Sequence, residues 1–236
     1  MHAVLAIDTA TDACTVGLAQ GNEVAELHRI IPRAHNRHIL TMVDELLAGR
    51  PLDVIDVFAC GLGPGSFTGL RIATSVIQGF AWSLERPVMA MCSLELQARS
   101  ALAQAEMDQG YVLSVIDAQI GQIYWRWFHI AAGRLAPMSE AAMSLPADIA
   151  IPDPVGPCMV VGSGAALATD FSPPLRSVIQ QWLPDARPHG GELARWAVET
   201  MRCTEKPALL RATDLSPHYV QETIGWKKLT EQPRRV

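Results

Sequence analysis

The sequence has no apolar run long enough to cross a membrane, no close cysteine pair and no basic cluster outside its last residues. Each absence excludes something. A membrane-spanning helix needs about 20 consecutive apolar residues, so no membrane role is expected. The opening His2-Ala3-Val4-Leu5-Ala6-Ile7-Asp8 is too short an apolar run for a signal peptide and lacks a basic lead. Cys14, Cys60, Cys92, Cys158 and Cys203 are odd in number and make no C-x-x-C pair. Reduced, mostly buried thiols in a cytoplasmic protein fit that pattern. The net charge is −5. Holding nucleic acid unaided takes clustered Lys and Arg. The densest such cluster here, Lys227, Lys228, Arg234 and Arg235, is terminal and reads as a solvated tail.

With 49% hydrophobic and 18% charged residues, the 236-residue chain is a folded protein with a sizeable core, as one domain or two small ones. Its most informative stretch is Gly61-Leu62-Gly63-Pro64-Gly65-Ser66-Phe67-Thr68-Gly69-Leu70-Arg71. An apolar run, Val57 to Cys60, precedes it, and an apolar-periodic run to Leu84 follows. The pattern predicts a strand, a glycine-rich turn and a helix. Ser66 or Thr68 is placed to cap that helix, and such a helix start can hold an anion. The stretch is not a Walker loop, which needs a lysine, nor a dinucleotide fingerprint, which Pro64 and Ser66 break. Pro64 also stands where a nucleophile elbow needs glycine. The simplest reading is a tight turn whose glycines serve packing.

Strands are expected at 3–8, 14–19 and 23–31, with Gly21-Asn22 as a hairpin turn. Asn36 is expected to cap a helix to about Ala48, and Ser93 one to about Met107, with strands at 56–60 and 87–91. The order β-β-β-α-β-α-β-α is that of the actin-like, ribonuclease H-like α/β fold: a mixed sheet flanked by helices. In that fold the first strand ends on an Asp that can meet phosphates or a metal, and Asp8 stands there. Asp8 and Thr9, with Ser66 and Thr68, are the candidate phosphate contacts. A first lobe over 1–108 and a smaller, reduced lobe over 109–236 are expected. The second has strands at 111–117, 122–130 and 159–161, proline-rich loop over 171–190 and a last helix at 191–203.

His35 and His38 stand three apart, but a metal site needs a third ligand, so no metal is expected. Asp8 and Asp117 each end an apolar strand and are a possible carboxylate pair across a cleft. Nothing in the spacing supports a triad at Ser66. The first two helices are apolar over more than one face, so either the fold covers them or a second subunit does. The residues assigned to that interface are His35, Ile39, Met42, Val43, Leu46, Gly69, Ile72, Ala73, Val76 and Phe80. Val43→Arg or Val76→Arg should then break pairing and spare the monomer.

These segments resemble the TsaB (YeaZ) family of bacterial tRNA threonylcarbamoyladenosine synthesis. The matching stretches are Leu5-Ala6-Ile7-Asp8-Thr9-Ala10, His35, and Gly63-Pro64-Gly65-Ser66-Phe67-Thr68-Gly69-Leu70-Arg71-Ile72. Ser93-Leu94-Glu95, Ile116-Asp117-Ala118, Val161-Gly162-Ser163-Gly164-Ala165 and Pro217-His218-Tyr219-Val220 match as well. The family often has Arg where this chain has Gln119 and Gln221. The resemblance implies a two-lobed scaffold without catalysis or cofactor of its own. It implies pairing with TsaD through the first two helices, recruitment of the ATPase TsaE, and self-association as a homodimer when alone. ATP would be used by the complex, near the subunit joint, and tRNA met only indirectly. TsaD carries a His-x-x-x-His after its fifth strand; the corresponding Met91-Cys92-Ser93-Leu94-Glu95-Leu96 has no histidine. The competing reading is an autonomous actin-like ATPase or a peptidase.

Overall fold

The computed structural model describes residues 2–105, 107–153 and 155–220. Gln221, Trp226 and the terminal basic residues lie outside them. The first lobe runs β1 (Ala3–Asp8), β2 (Ala13–Gln20), β3 (Glu23–Ile30), α1 (His35–Leu47), β4 (Val57–Gly61), α2 (Phe67–Ser83), β5 (Val88–Met91) and α3 (Ser93–Gln104). Its strands are ordered β3-β2-β1-β4-β5. The first three pair antiparallel, while β4 pairs parallel to β1 and to β5. β1 is buried at every position because both faces of the sheet are covered. Gly21 at φ +67° takes the left-handed turn that joins β2 to β3.

The second lobe holds β6 (Gln109–Asp117), β7 (Ile123–Ala131), β8 (Arg134–Pro137), β9 (Ala142–Ser144), β10 (Cys158–Val161), α4 (Pro173–Val178), β11 (Ile179–Leu183) and α5 (Gly190–Cys203). Read from its other edge, this sheet runs β8-β7-β6-β10-β11, with β9 pairing along β7. That repeats the first sheet's order, so the two halves share a topology that their sequences do not display. The segment expected as proline-rich loop contains α4 and β11. Pro173 and Pro174 open α4, where a missing N–H costs nothing, and β11 is an edge strand.

The boundary expected at residue 108 does not describe the packing. Leu193, Ala194, Ala197 and Val198 of α5 bury against Val4, Ala6, Ala19 and Ala59 of the first sheet. Ala98 and Ala101 of α3 bury against Val112, Phe128 and Met159 of the second. Each lobe's closing helix thus lies on the other lobe's sheet. Small residues permit the α5 contact: a Cβ at Gly17 would lie 2.0 Å from the Gly190 carbonyl oxygen.

Two capping expectations fail. α1 begins at His35 after Ala34, with Asn36 already helical and no side-chain cap. α3 begins at Ser93 itself after Cys92, because the Ser93 hydroxyl is engaged elsewhere.

Candidate partner-binding face and glycine-rich turn

The turn between β4 and α2 is built for packing. A Cβ at Gly65 would come 2.3 Å from the Ala10 carbonyl oxygen, and one at Gly69 2.0 Å from that of Thr9. Only glycine allows the start of α2 to sit on the β1–β2 turn this closely. The Ser66 N–H donates to the Ala10 carbonyl at 2.7 Å, and the Thr9 hydroxyl to the Gly69 carbonyl at 2.7 Å. Ser66 Oγ caps the helix by accepting from the Gly69 N–H at 3.3 Å. Among the described residues no histidine or carboxylate bonds to Ser66, so no triad forms there.

Asp8 is buried beneath this turn. Its Oδ1 accepts from the Ala10 N–H at 2.8 Å and its Oδ2 from the Ser93 hydroxyl at 2.6 Å. Ser93 Oγ accepts in turn from the Gly63 N–H at 3.0 Å. A Cβ at Gly61 would lie 1.8 Å from Asp8 Oδ2, so the carboxylate fills the space beside β4. Burial raises the Asp8 pKa above the ordinary range, against the lowering by Ser93 and Ala10. Asp8 and Thr9, expected as phosphate contacts, are both buried and hydrogen-bonded within the chain. Ser66 and Thr68 are exposed at the helix start.

The second lobe's strand ends are closed as well. Gln97 of α3 donates from Nε2 to Ser114 Oγ at 2.9 Å and to the Val161 carbonyl at 3.0 Å. A Cβ at Gly162 would lie 2.1 Å from that nitrogen. Asp117 accepts from the Gln119 N–H at 2.7 Å. Asp8 and Asp117 thus spend their carboxylates on different local partners and form no acid–base pair.

The interface assignments divide sharply. Ile39, Met42, Val43 and Leu46 of α1 and Ala73 of α2 belong to the chain's own core, and Val43 is only 2% exposed. Gly69 and His35 are buried too. His35 Nε2 stands 3.4 Å from the Asp12 carbonyl oxygen. Seven of the ten assigned positions are therefore interior. Ile72, Val76 and Phe80 are half-buried along the flank of α2, where they pack against that core and keep part of their surface in solvent. Beside them Ser75 and Gly79 are exposed, and a Cβ at Gly79 would meet nothing within 4 Å.

Sequence reasoning missed the residues that do point outward: Trp82 (68% exposed), Leu40 (53%) and Phe67 (46%). Trp82 closes an amphipathic pattern already broad enough to hide which side faces water. The tail completes the surface. The His218 N–H donates to the Leu62 carbonyl at 2.8 Å. Tyr219 OH accepts from Arg71 Nε at 3.1 Å, and the Arg71 guanidinium lies 3.9 Å from the Phe67 ring centroid. The glycine turn, α2 and residues 217–219 thus form one continuous surface.

A family model described as "TsaD: tRNA N6-adenosine threonylcarbamoyltransferase" matches residues 24–178. The tRNA threonylcarbamoyladenosine biosynthesis protein TsaB of Haemophilus influenzae is 30% identical, over 96% of each chain. The Escherichia coli protein of the same name is 30% identical, over 96% of this chain and 97% of that one. The chain belongs to the TsaB (YeaZ) family. Solved structures agree. YeaZ from Pseudomonas aeruginosa superposes with a TM-score of 0.81 at 31% identity, over 93% of this chain and all of that one. Another P. aeruginosa structure, described as an uncharacterized protein with similarity to peptidase YEAZ, gives 0.83 at 30% identity, over 94% of this chain and all of that one. The fold is accordingly the actin-like one expected, with two mixed sheets flanked by helices. Among the described residues no helix is long and apolar enough to cross a membrane.

One side-chain cluster has no counterpart in the sequence reading. Glu26, His28 and His189 bring one ligand atom each to within 4.8 Å of one another. Glu26 and His28 are two apart on β3 and so share a face. Only the fold brings His189 to them.

Proposed function

We propose that the chain is the non-catalytic scaffold subunit of a tRNA threonylcarbamoyladenosine synthesis complex in the cytoplasm. Its outer α2 surface binds and activates TsaD, and the pair helps recruit TsaE. Alone, the chain pairs with itself through the same surface. It needs no cofactor of its own, ATP is used near the subunit joint, and tRNA is met only through the complex.

The observation that carries this reading is a contrast within one region. Polar side chains at the strand ends of both sheets are engaged within the chain. Asp8 is spent on Ser93 and Ala10, and Gln97 ties together the ends of the paired strands β6 and β10. A few residues away, Ile72, Val76, Phe80 and Trp82 leave apolar surface outward, flanked by the small residues that let a second helix approach. Apolar surface grouped in this way favours protein association.

Size-exclusion chromatography with light scattering tests the reading, on the chain alone and mixed with TsaD from the same organism. A one-to-one complex that replaces a self-associated form is expected. Absence of any complex, with or without ATP and TsaE, would overturn it.

A further inference from the structure

The start of α5 docks on the edge strand β3 through polar groups. Thr15 Oγ1 donates to Glu26 Oε1 at 2.8 Å, and the Gly191 N–H donates to the same oxygen at 3.2 Å. Thr15 Oγ1 also accepts from the Gly190 N–H at 2.8 Å. Glu26 Oε2 is left to His189, whose Nδ1 stands 3.0 Å away. The His28 ring stacks on that of His189, with centroids 4.2 Å apart and planes 10° from parallel. His28 Nδ1 is buried and has no hydrogen-bond partner among the described residues. A buried ring nitrogen without a partner is costly and calls for an explanation.

We propose that Glu26, His28 and His189 form a site for a divalent transition metal of the zinc class, which clips the start of α5 to β3. Two imidazoles and a carboxylate are a donor set such ions accept, with a fourth position left for water. Glu26 is already oriented by Thr15 and Gly191, the kind of outer support that metal-binding carboxylates have. The neighbouring cation, Arg187, is neutralised by Asp12, to which its Nη2 donates at 3.1 Å. The metal takes the place of the His189 Nδ1–Glu26 Oε2 contact. Zinc–nitrogen bonds of about 2.0–2.1 Å require the stacked rings to turn about χ2 until their donor atoms converge on one point. All three side chains keep solvent access through which an ion can enter.

The test uses the full chain, stripped of metal by dialysis against a chelator and titrated with zinc(II) or cobalt(II). One ion per chain is expected, with the d–d absorption of tetrahedral cobalt(II). The melting temperature should rise by roughly 5–10 °C at a hundredfold excess over Kd. His28→Phe keeps an aromatic ring on His189 and removes a ligand, so affinity should fall more than about 100-fold. Thr15→Val removes no ligand but takes away the hydroxyl that orients Glu26 and accepts from the Gly190 N–H, and should weaken binding about 10- to 100-fold. His38→Gln should change nothing. If His28→Phe does not fold, ring-nitrogen NMR of the unsubstituted protein decides, since zinc should move the His28 and His189 signals first. Absence of binding, binding unchanged in His28→Phe, or binding lost in His38→Gln would each overturn the site.

Discussion

The two faces of the first sheet are covered in different ways. On one, Cys14, Val16 and Leu18 of β2 and Leu5 and Ile7 of β1 meet α1 and α2 with large side chains. On the other, Ala6, Ala19 and Ala59 receive α5, and Thr15 and Glu26 tie its first residues by hydrogen bonds. The second face uses its apolar groups fully and is held in register by polar contacts. The first has apolar surface to spare, most of it on α2. Apolar excess in a helix sequence thus has two outcomes. α1 turns its surplus inward apart from Leu40, whereas α2, resting on the sheet along a narrower stripe, keeps part of it outside.

The largest expected effect tests α1's place in the core. Val43→Arg puts an unpaired cation among Ile39, Met42 and Leu47, costing about 3–5 kcal/mol or abolishing folding. Urea denaturation would read this directly. A folded Val43→Arg chain of near-normal stability would return α1 to the surface and erase the contrast between the two helices.

On the opposite face the sharpest test is Gly17→Ala. The new methyl group would meet the Gly190 carbonyl, so α5 must shift. A loss of about 1–3 kcal/mol is expected, with TsaD binding retained because α2 is untouched. The same face should also be the more acid-sensitive. The Glu26 pKa is about 2 in the fold against an ordinary value near 4.5, so its contribution is complete above about pH 4.5. That contribution is lost as pH falls through 2. His28, lowered from its ordinary 6.5 by burial first, opposes folding when it is protonated, which adds to the loss on acidification. Glu26→Gln should flatten the stability profile between pH 4.5 and 2. An unchanged profile would assign the acid lability to other groups.

Much of this was legible in the sequence. The three opening strands, α2 with its Ser66 cap and the glycine turn announce themselves through period, turn residues and an apolar run bounded by glycines. Ser66→Ala should cost about 1 kcal/mol in a thermal melt, the usual value of such a cap. Other features depend on contacts between residues far apart in the chain. Ser93 was a plausible cap by type, yet its hydroxyl serves Asp8, 85 positions away. Asp8 is a strand-end carboxylate whichever way it points, and only the fold shows it covered. The exchange of α3 and α5 between lobes leaves no local trace, since an amphipathic helix does not record which sheet it meets. The Glu26–His28–His189 cluster spans 163 residues and was illegible for the same reason.

The smallest expected change in stability carries the most weight for function. Val76 is half-buried at the edge of the α1–α2 cluster, so an arginine there can extend its charged head into water while its stem covers the same apolar neighbours. Val76→Arg should therefore cost less than about 1 kcal/mol in urea. In the proposed contact with TsaD the same substitution sets a cation among apolar groups, where leaving a charge unpaired costs several kcal/mol. Affinity should fall by at least about tenfold in isothermal titration, and self-association should be lost with it. Val76→Arg that folds normally and binds TsaD as before would move the docking surface off α2. Leu40→Arg, exposed on α1, would then be the next substitution to make, because it changes the other outward apolar position without entering the core.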